Sequence, residues 1–375
     1  VLDYQSGDES NRYWVIKASE VTGDGNVELD YQASSQTTKL FNSHNQHAAN
    51  ATWGYDSELV TDETVKGVYL TYALNQLELV GKKDTNAALE LKLKDSAERN
   101  LWVKVIGEGI IDVDGFEATD KAVRITNVDN DFTGLVHVKN NAHLTATAGA
   151  LGKNGKVALK IDDWSFFRLS ADPNNPNKVQ TLNGLAVDDT SSITLESALD
   201  LNLTDSYLGT TTNVISGTQL KGTGNLSLRS GTFAFENVSD TLFSNYTGLL
   251  TADAGTTMNF TADGSYTLKN LSGGGTVGLF VNNDNVVVTL GDVNSFTGTI
   301  EANGSAEVLL GKDTNLSSSA TLKAKNQNTL TFNEFGSNTA DSVIDQNLNL
   351  EDFGNYNFVK TKGIFQKTGN LNLNL

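Results

Sequence analysis

Paired carboxylates near a basic residue are the first feature of this chain that could do chemistry. Asp162 and Asp163 lie close to Arg168, and Asp188 stands beside Asp189. Two carboxylates with a basic partner could supply the general acid and base that cleave a glycosidic bond. Adjacent aspartates also favour turns, because their side chains bond to the local backbone. The turn interpretation needs fewer assumptions, so we predict no catalytic residues and no enzyme.

Side chains that could bind a metal are few and poorly spaced. The chain has no Cys. Its four histidines are His44, His47, His137 and His143. None of them belongs to a pair with zinc spacing on a helix, so we expect surface, turn or outward positions. Two aspartate clusters, at 112–115 and 129–131, could bind Ca²⁺ weakly, but neither supplies a twelve-residue loop with a closing Glu. We predict no metal and no cofactor.

The net charge restricts the partners. The chain has 375 residues and a formal charge of −18, from 45 acidic and 27 basic residues. This field repels nucleic-acid phosphates and anionic membranes, so we predict no nucleic-acid partner. No apolar run reaches about 18 residues, the length of a membrane-spanning helix. The absence of Cys favours a long chain that crosses a membrane unfolded, because a disulfide would block that passage.

One short phrase recurs, and its spacing predicts the elements that position these residues. Around Phe132, Tyr246 and Phe296, small polar residues precede the aromatic residue, then Thr and Gly, then alternating apolar residues. A coil of about 23 to 25 residues fits both intervals between the aromatic residues. A unit with this period is typical of a solenoid.

Short alternating runs elsewhere predict an all-β fold. Runs such as 101–106 and 157–161 alternate apolar and polar residues and are closed by Gly, Asn or Asp. Gly-x-Gly turns such as 222–224 precede strands, whereas helical periodicity is weak; it is best at 61–70 and 86–98, and the second of these also alternates like a strand. We predict a parallel β-helix of roughly 15 coils. In it the aromatic residues of the phrase point inward, and the Gly that follows allows a corner.

Departures from this pattern predict the domain boundaries. Residues 1–60 are less regular and predict irregular N-terminal coils and a cap, whereas 61–375 predict the β-helix. The prolines, Pro173 and Pro176, fall in a stretch near 162–178. This stretch predicts an excursion loop, because proline cannot continue a central strand. The final residues alternate to the end of the sequence, so we expect a further segment after them.

These features together resemble the passenger domain of a bacterial type V autotransporter. The matching residues are the Asn/Asp-aromatic-Thr-Gly phrase at 130–134, 244–248 and 294–298 and the Leu-Ser-Gly-Gly-Gly-Thr turn at 271–276. The resemblance covers about 120–375 well and the first third poorly. It implies a right-handed, three-stranded parallel β-helix, exported to the bacterial surface or beyond through a C-terminal β-barrel that these residues do not include. The Gly-Asp-Ser-Gly-Ser string of protease passengers and the Gly-Asp-Ser-Leu string of lipase passengers are missing.

The resemblance is nearest to the AIDA-like adhesins, including those of uropathogenic Escherichia coli. It implies a cell-surface adhesin that binds host extracellular matrix, either a glycosaminoglycan or a glycoprotein such as fibronectin. We predict the ligand in a groove edged by the excursion loop, where an aromatic ring stacks on sugars and basic side chains pair with sulfates. The predicted ligand-binding residues are Lys153, Lys156, Asp162, Asp163, Trp164 and Arg168.

Two alternatives stay open. Rows of Asn, Thr and Asp could associate with another copy of the chain, which would make it a mediator of bacterial aggregation and biofilm formation. A less favoured alternative is a β-helix enzyme that degrades polysaccharides. Membrane contact is expected only through the missing C-terminal barrel.

Overall fold

The computed structural model describes residues 12–18, 35–60, 66–92, 99–115, 122–152, 155–203, 208, 213–281, 286–304, 307–324, 328–351 and 354–374. Nearly every element in these ranges is a β-strand. In chain order the first strands are β1 (Arg12–Ala18), β2 (Ser35–Phe41), β3 (His47–Val60), β4 (Lys66–Leu79), β5 (Leu89–Lys92), β6 (Arg99–Leu101), β7 (Lys104–Asp114), β8 (Val123–Ile125), β9 (Asp131–Lys139), β10 (His143–Thr147), β11 (Val157–Ile161) and β12 (Phe166–Ser170).

The middle of the chain continues in short strands and contains one short helix. The strands are β13 (Gln180–Leu182), β14 (Gly184–Val187), β15 (Ser192–Leu195), β16 (Leu199–Asn202), β17 (Val214–Ser216), β18 (Leu220–Gly222), β19 (Leu226–Ser230), β20 (Thr232–Val238), β21 (Leu250–Ala252), β22 (Thr257–Ala262), β23 (Tyr266–Leu268) and β24 (Leu271–Gly273). The helix α1 (Asp240–Asn245) follows β20, and a 3₁₀ turn spans Thr85–Ala87.

The last strands are β25 (Thr276–Val281), β26 (Val287–Val293), β27 (Thr299–Gly304), β28 (Glu307–Leu316), β29 (Thr321–Ala324), β30 (Thr329–Asn333), β31 (Ser342–Ile344), β32 (Asn347–Glu351), β33 (Asn355–Val359), β34 (Phe365–Lys367) and β35 (Leu371–Asn374).

The strands stack into sheets that form the faces of a β-solenoid of about 11 turns. Face A is a 17-stranded sheet with one strand from nearly every coil, and face B is the six-stranded sheet β6, β8, β10, β12, β15 and β18. Face C is the five-stranded sheet β13, β16, β19, β21 and β24, and face D is the five-stranded sheet β23, β26, β28, β30 and β33. Strands β31 and β34 form a two-stranded sheet. From β5 onward the described pairs within these sheets are parallel, as a solenoid requires.

The all-β solenoid prediction is confirmed, but the predicted 15 coils exceed the observed number. Antiparallel pairs join β1 to β4, β2 to β3 and β3 to β4, and β4 is the first described strand with a parallel partner, which is β7. The pairing of Val60 with Gly67 also crosses the boundary predicted at residue 60. Coil length varies as well, because the offset between register partners is 19 for Thr257 and Thr276.

The recurrent phrase stacks on the Gly-x-Gly turns of the preceding coil. Phe132 is the register partner of Gly107, and isolated parallel bridges join Tyr246 to Gly222 and Phe296 to Gly273. The three aromatic side chains are fully buried, as predicted. The Tyr246 hydroxyl donates a hydrogen bond to the Gly224 carbonyl at 2.8 Å, which satisfies its only polar atom within the core.

The glycine of the phrase is required by the backbone of the neighbouring coil. A Cβ atom on Gly298 would lie 2.0 Å from the carbonyl oxygen of Gly275, and one on Gly248 would lie 2.2 Å from that of Gly224. Both distances are far below van der Waals contact. The close approach, rather than a special φ, therefore selects glycine at these two corners.

Two local expectations need comment. Of the two candidate helical segments, 61–70 belongs to β4 where the structure describes it, and 86–98 contains β5, as its alternation predicted, and part of the 3₁₀ turn. The excursion loop predicted near 162–178 is shorter, because β12 pairs with β10 and β15 as a regular strand of face B. Residues 162–165 form the corner before β12, and residues 171–179 form the loop that contains the prolines.

Candidate functional site

Trp164 lies at the corner where the chain passes from β11 on face A to β12 on face B. Its side chain is 67% exposed. The N–H of Asp163 donates to Asp188 Oδ2 at 3.0 Å, and the N–H of Trp164 donates to Thr190 Oγ1 at 3.1 Å. Because both acceptors belong to the next coil, the corner is fixed on a rigid frame.

This corner uses a backbone conformation that suits a tryptophan poorly. Asp163 and Trp164 have φ values of 56° and 64°, in the left-handed region. The preceding coil turns the same corner with Asn140 and Asn141, at φ values of 55° and 60°. Asn and Asp tolerate this region because their short side chains bond locally, whereas a bulky residue is strained there. A strained and exposed aromatic residue is a reason to look for function at that position.

Phe166 extends this aromatic surface along β12. Its side chain is 40% exposed, and the rings of Phe166 and His143 meet edge to face with centroids 4.7 Å apart. Phe166 and Arg168 alternate on the exposed side of β12, and Trp164 lies on the corner that precedes this strand; we call these three residues the aromatic row. The row combines two exposed rings with a guanidinium group, and this combination can stack on a ligand and donate hydrogen bonds to it.

Arg168 is held by one neighbour. Its Nη2 atom lies 2.5 Å from Glu196 Oε1, and the two side chains are 57% and 39% exposed. An exposed ion pair of this kind contributes about 0–1 kcal/mol to stability. A ligand can therefore displace Glu196 from Arg168 at small cost.

The structure separates the basic residues that the sequence placed in one groove. Lys156 is exposed and immediately precedes β11, whereas Trp164 follows the end of that strand. The five residues of β11 hold them about 16 Å or more apart. Lys153 lies outside the described residues. Of the predicted set, Asp163 and Trp164 lie on the corner before β12, and Arg168 lies on β12 itself.

Asp162 belongs to a different group of side chains, on the outer surface of face A. His137 lies between two carboxylates: its Nε2 atom is 2.7 Å from Asp162 Oδ1, and its Nδ1 atom is 3.6 Å from Asp112 Oδ1. Lys139 Nζ is 2.5 Å from Asp112 Oδ2, and Lys160 pairs with Asp162. We call these five residues the His137 network; it joins β7, β9 and the end of β11.

The network shifts the pKa values of its members. Burial lowers the pKa of His137, but hydrogen bonds and charges from Asp112 and Asp162 outweigh burial, so the net pKa is raised. Burial raises the pKa of Asp112 and of Asp162, but His137 with Lys139 or Lys160 reverses this effect, so both carboxyl pKa values are lowered. The network therefore favours an imidazolium between two carboxylates, which is an ion-pair arrangement and not that of a free general base.

A cleft of about 480 Å³ opens near the far end of the 171–179 loop. Lys104, Asp129 and Lys178 are among its lining residues. Its floor is shaped by two buried amides: Gln180 Oε1 accepts from the N–H groups of Gly149 and Leu151 at 3.0 Å each, and Asn130 Nδ2 donates to the Ala150 carbonyl at 2.8 Å. The loop thus borders a cleft, as predicted for this segment. The cleft lies near the start of β11, however, whereas Trp164 lies beyond the end of that strand.

Sequence reasoning missed Phe166, His143 and the lysines of the cleft. The alternation of Phe166 and Arg168 was a usable signal, because it places both on one side of a strand. The approach of His143 to Phe166 depends on the 23-residue register between β10 and β12. The sequence could not predict that register, because the loop predicted near 162–178 covered the residues of β12.

The described residues contain no group of three or more His, Asp or Glu that could hold a metal ion. No helix in the described ranges is long and apolar enough to cross a bilayer.

Comparison with known proteins gives one weak relationship to report. No protein family matches the chain, and no solved structure gives a significant match. The chain is 26% identical over 141 residues to the uncharacterized protein YuaQ of Escherichia coli strain K12. The aligned part is 37% of this chain and 10% of YuaQ, so the chain spans about a tenth of the length of that relative. The chain is thus a β-solenoid with weak similarity to an uncharacterized protein of Escherichia coli.

Proposed function

We propose that this chain is the ligand-binding part of an exported bacterial cell-surface adhesin of the autotransporter passenger type, and that it binds glycans or glycoproteins of the host matrix. One observation carries the proposal: Trp164 is 67% exposed in a left-handed conformation that the preceding coil fills with Asn141. An aromatic residue that is unfavourable for both solvation and backbone geometry is best explained by a ligand that it contacts.

The surroundings of Trp164 support recognition of a sugar. The exposed Phe166 ring continues the aromatic surface, and Arg168 supplies hydrogen-bond donors. Sugar rings present C–H groups on one side and hydroxyl groups at the edge, so they suit an aromatic surface with polar neighbours. The stacked coils fix the positions of these groups before binding, which reduces the entropy lost in the complex.

A screen of glycans and matrix glycoproteins, including fibronectin, tests the proposal on the full chain. We expect binding that falls at least tenfold in the double variant Trp164→Asn, Phe166→Thr. Phe41→Thr is the matched control, since Phe41 is 57% exposed and its ring centroid lies 5.6 Å from that of His47. Equal binding by the double variant and the parent would overturn the assignment of the ligand to this corner.

A second candidate function, self-association, is favoured by a ladder of threonines on face A. Thr232, Thr257, Thr276, Thr299 and Thr321 are successive register partners. Such a row presents regularly spaced hydroxyl groups that another copy of the chain could meet. If copies associate through this row, Thr276→Lys together with Thr299→Lys abolishes bacterial aggregation and the dimer in sedimentation. Unchanged aggregation excludes the row as the contact.

The absence of enzymatic activity remains part of the proposal. The candidate catalytic carboxylate Asp162 is engaged by His137 and Lys160. Export to the cell surface also belongs to the proposal, and detection of the chain by antibody on intact cells tests it.

A further inference from the structure

Face B differs from the rest of the molecule in its charge. Its six strands have the sequences RNL, VRI, HLTAT, FFRLS, SITL and LKG. They contain four basic residues and no Asp or Glu, although acidic residues outnumber basic ones by 45 to 27 in the whole chain. A cationic sheet in an acidic protein indicates a partner with negative charge.

The register of the strands places the described cations in one line. Arg124 is the partner of Thr145, Thr145 of Arg168, Arg168 of Thr194, and Thr194 of Lys221. The residues on either side of each position are mainly buried, so the line lies on the outer surface. We call Arg124, Arg168 and Lys221 the cation ladder.

The dimensions of the ladder follow from strand stacking. Parallel strands are about 4.8 Å apart, so the cations recur about every 9.6 Å and extend over about 19 Å from Arg124 to Lys221. The line runs along the solenoid axis. On the far side of β18 it ends at α1, which contacts that strand. The threonines between the cations add hydroxyl groups at the intermediate positions.

The aromatic row crosses this ladder at Arg168. Phe166 lies two residues before Arg168 on β12, and His143 and Ser192 are the register partners of Phe166 on the two sides. His143 and Phe166 thus form an aromatic pair beside the column of cations, whereas Ser192 is buried. This pairing favours a polymer that has both flat apolar surfaces and regularly spaced anionic groups.

We propose that face B binds a linear anionic glycan lengthwise, with sulfate or carboxylate groups on Arg124, Arg168 and Lys221 and a sugar ring against Phe166 and Trp164. This inference rests on the proposed adhesin function and names its ligand class and binding direction. Glu196 is the carboxylate that the ligand displaces from Arg168. The net charge of −18 repels every polyanion, so the cation ladder must supply a local attraction, and single-stranded DNA is the alternative occupant that the test separates from a glycan.

Binding of heparin oligosaccharides of graded length to the full chain tests the proposal. We expect Arg124→Gln, Arg168→Gln and Lys221→Gln each to weaken binding by about threefold to tenfold, and the triple variant to abolish it. Each substitution also reduces the slope of log affinity against log salt by roughly one. Lys39→Gln is the matched control, because it removes an exposed cation from β2 on face A and leaves binding unchanged.

Two further measurements separate the ladder from a loss of folding. Arg124→Lys keeps the charge and retains most of the affinity, with a circular dichroism spectrum like that of the parent. Oligosaccharides too short to reach from Arg124 to Lys221 bind more weakly than those that span the ladder, because they meet fewer cations. Equal affinity per molecule for short and long oligosaccharides contradicts lengthwise binding.

Each alternative ligand gives a distinct result. Salt-independent binding of an uncharged glycan, lost in Trp164→Asn but not in the triple variant, overturns the ladder and leaves the adhesin function standing. Equally tight binding of single-stranded DNA overturns the assignment to glycans. Binding to neither glycans nor matrix glycoproteins overturns both this inference and the proposed function.

Discussion

Trp164 occupies the corner position that Asn141 occupies one coil earlier, and both residues have a left-handed backbone, with φ values of 64° and 60°. The 23-residue offset is the one that pairs His143 with Phe166 two residues further on. The two corners therefore differ mainly in the side chain that they present. Asn is more favourable than Trp in this backbone conformation. Trp164 therefore lowers the stability of the fold relative to an Asn at the same position.

Replacing Trp164 by Asn should stabilise the fold and weaken ligand binding. The substitution relieves backbone strain and removes an exposed ring, and we expect the free energy of unfolding to rise by about 0.5–1 kcal/mol. Denaturant unfolding followed by circular dichroism measures this change. Binding to the glycan found in the screen should fall in the same variant, because the ring no longer contacts the sugar.

Asn141→Ala is the control for the backbone. It removes a residue that favours the left-handed region without touching the aromatic row, so it should destabilise the protein and leave binding intact. A Trp164→Asn variant that is less stable than the parent would show that the ring packs usefully in the free protein. The presence of Trp164 would then need no ligand to explain it.

The glycines that stack between coils make a second prediction. Gly298→Ala should cost about 2–4 kcal/mol, because the new methyl group would lie 2.0 Å from the Gly275 carbonyl oxygen and would force two coils apart. Gly264→Ala is the matched control. A Cβ atom there would lie 3.4 Å from its nearest neighbour, the Cβ of Ser239, so the change should be within about 0.5 kcal/mol. Similar unfolding midpoints for the two variants contradict the proposed packing.

The fold could be predicted from the sequence because a solenoid repeats the same packing requirement in each coil. Phe132, Tyr246 and Phe296 recur with the same Thr and Gly, and each stacks on a glycine of the preceding coil. One local rule therefore predicts several coils at once. The predicted number of coils was too high, because the first strands pair antiparallel and do not form coils of their own. No short sequence pattern predicts the antiparallel pairing of β3 with β4.

The candidate site was predicted only in part, since it depends on register between coils. Phe166 and Arg168 share a face by alternation on β12, and Trp164 is close to them in sequence, on the preceding corner. Arg124 and Lys221 lie 44 and 53 residues from Arg168, and only the pairing of β8, β10, β12, β15 and β18 aligns them. Coil lengths that vary along the chain prevent this alignment from being read by counting residues.

Glu196 provides a third prediction, in which a substitution strengthens ligand binding. Glu196→Gln removes the carboxylate that competes with the ligand for Arg168, so affinity for an anionic glycan should rise by about threefold. Stability should change by less than about 0.5 kcal/mol, because the pair is exposed. Glu236→Gln makes the same change of charge at an exposed position on β20 of face A and should have no effect on affinity. Weaker binding in Glu196→Gln would indicate that Glu196 itself contacts the ligand.

The His137 network makes the fourth prediction, which concerns pH. The pKa of folded His137 is raised, so the folded chain holds its proton more tightly than the unfolded chain. Its contribution to stability is complete below about pH 6.5 and is lost as the pH rises through the folded pKa. The lowered pKa values of Asp112 and Asp162 act in the other direction. Their contribution is present above about pH 4 and is lost as the pH falls through the folded values.

The free energy of unfolding should therefore fall as the pH rises above about 6.5, and His137→Gln should remove most of this slope. Denaturant titrations at several pH values measure it, with Asp162→Asn as a second variant. That change removes the carboxylate at 2.7 Å from His137 Nε2, so the pKa of His137 loses one of the interactions that raise it. The slope in Asp162→Asn should lie between those of the parent and His137→Gln. If His137→Gln keeps the full slope, the pH dependence arises from other groups and the three strands are not coupled through this imidazolium.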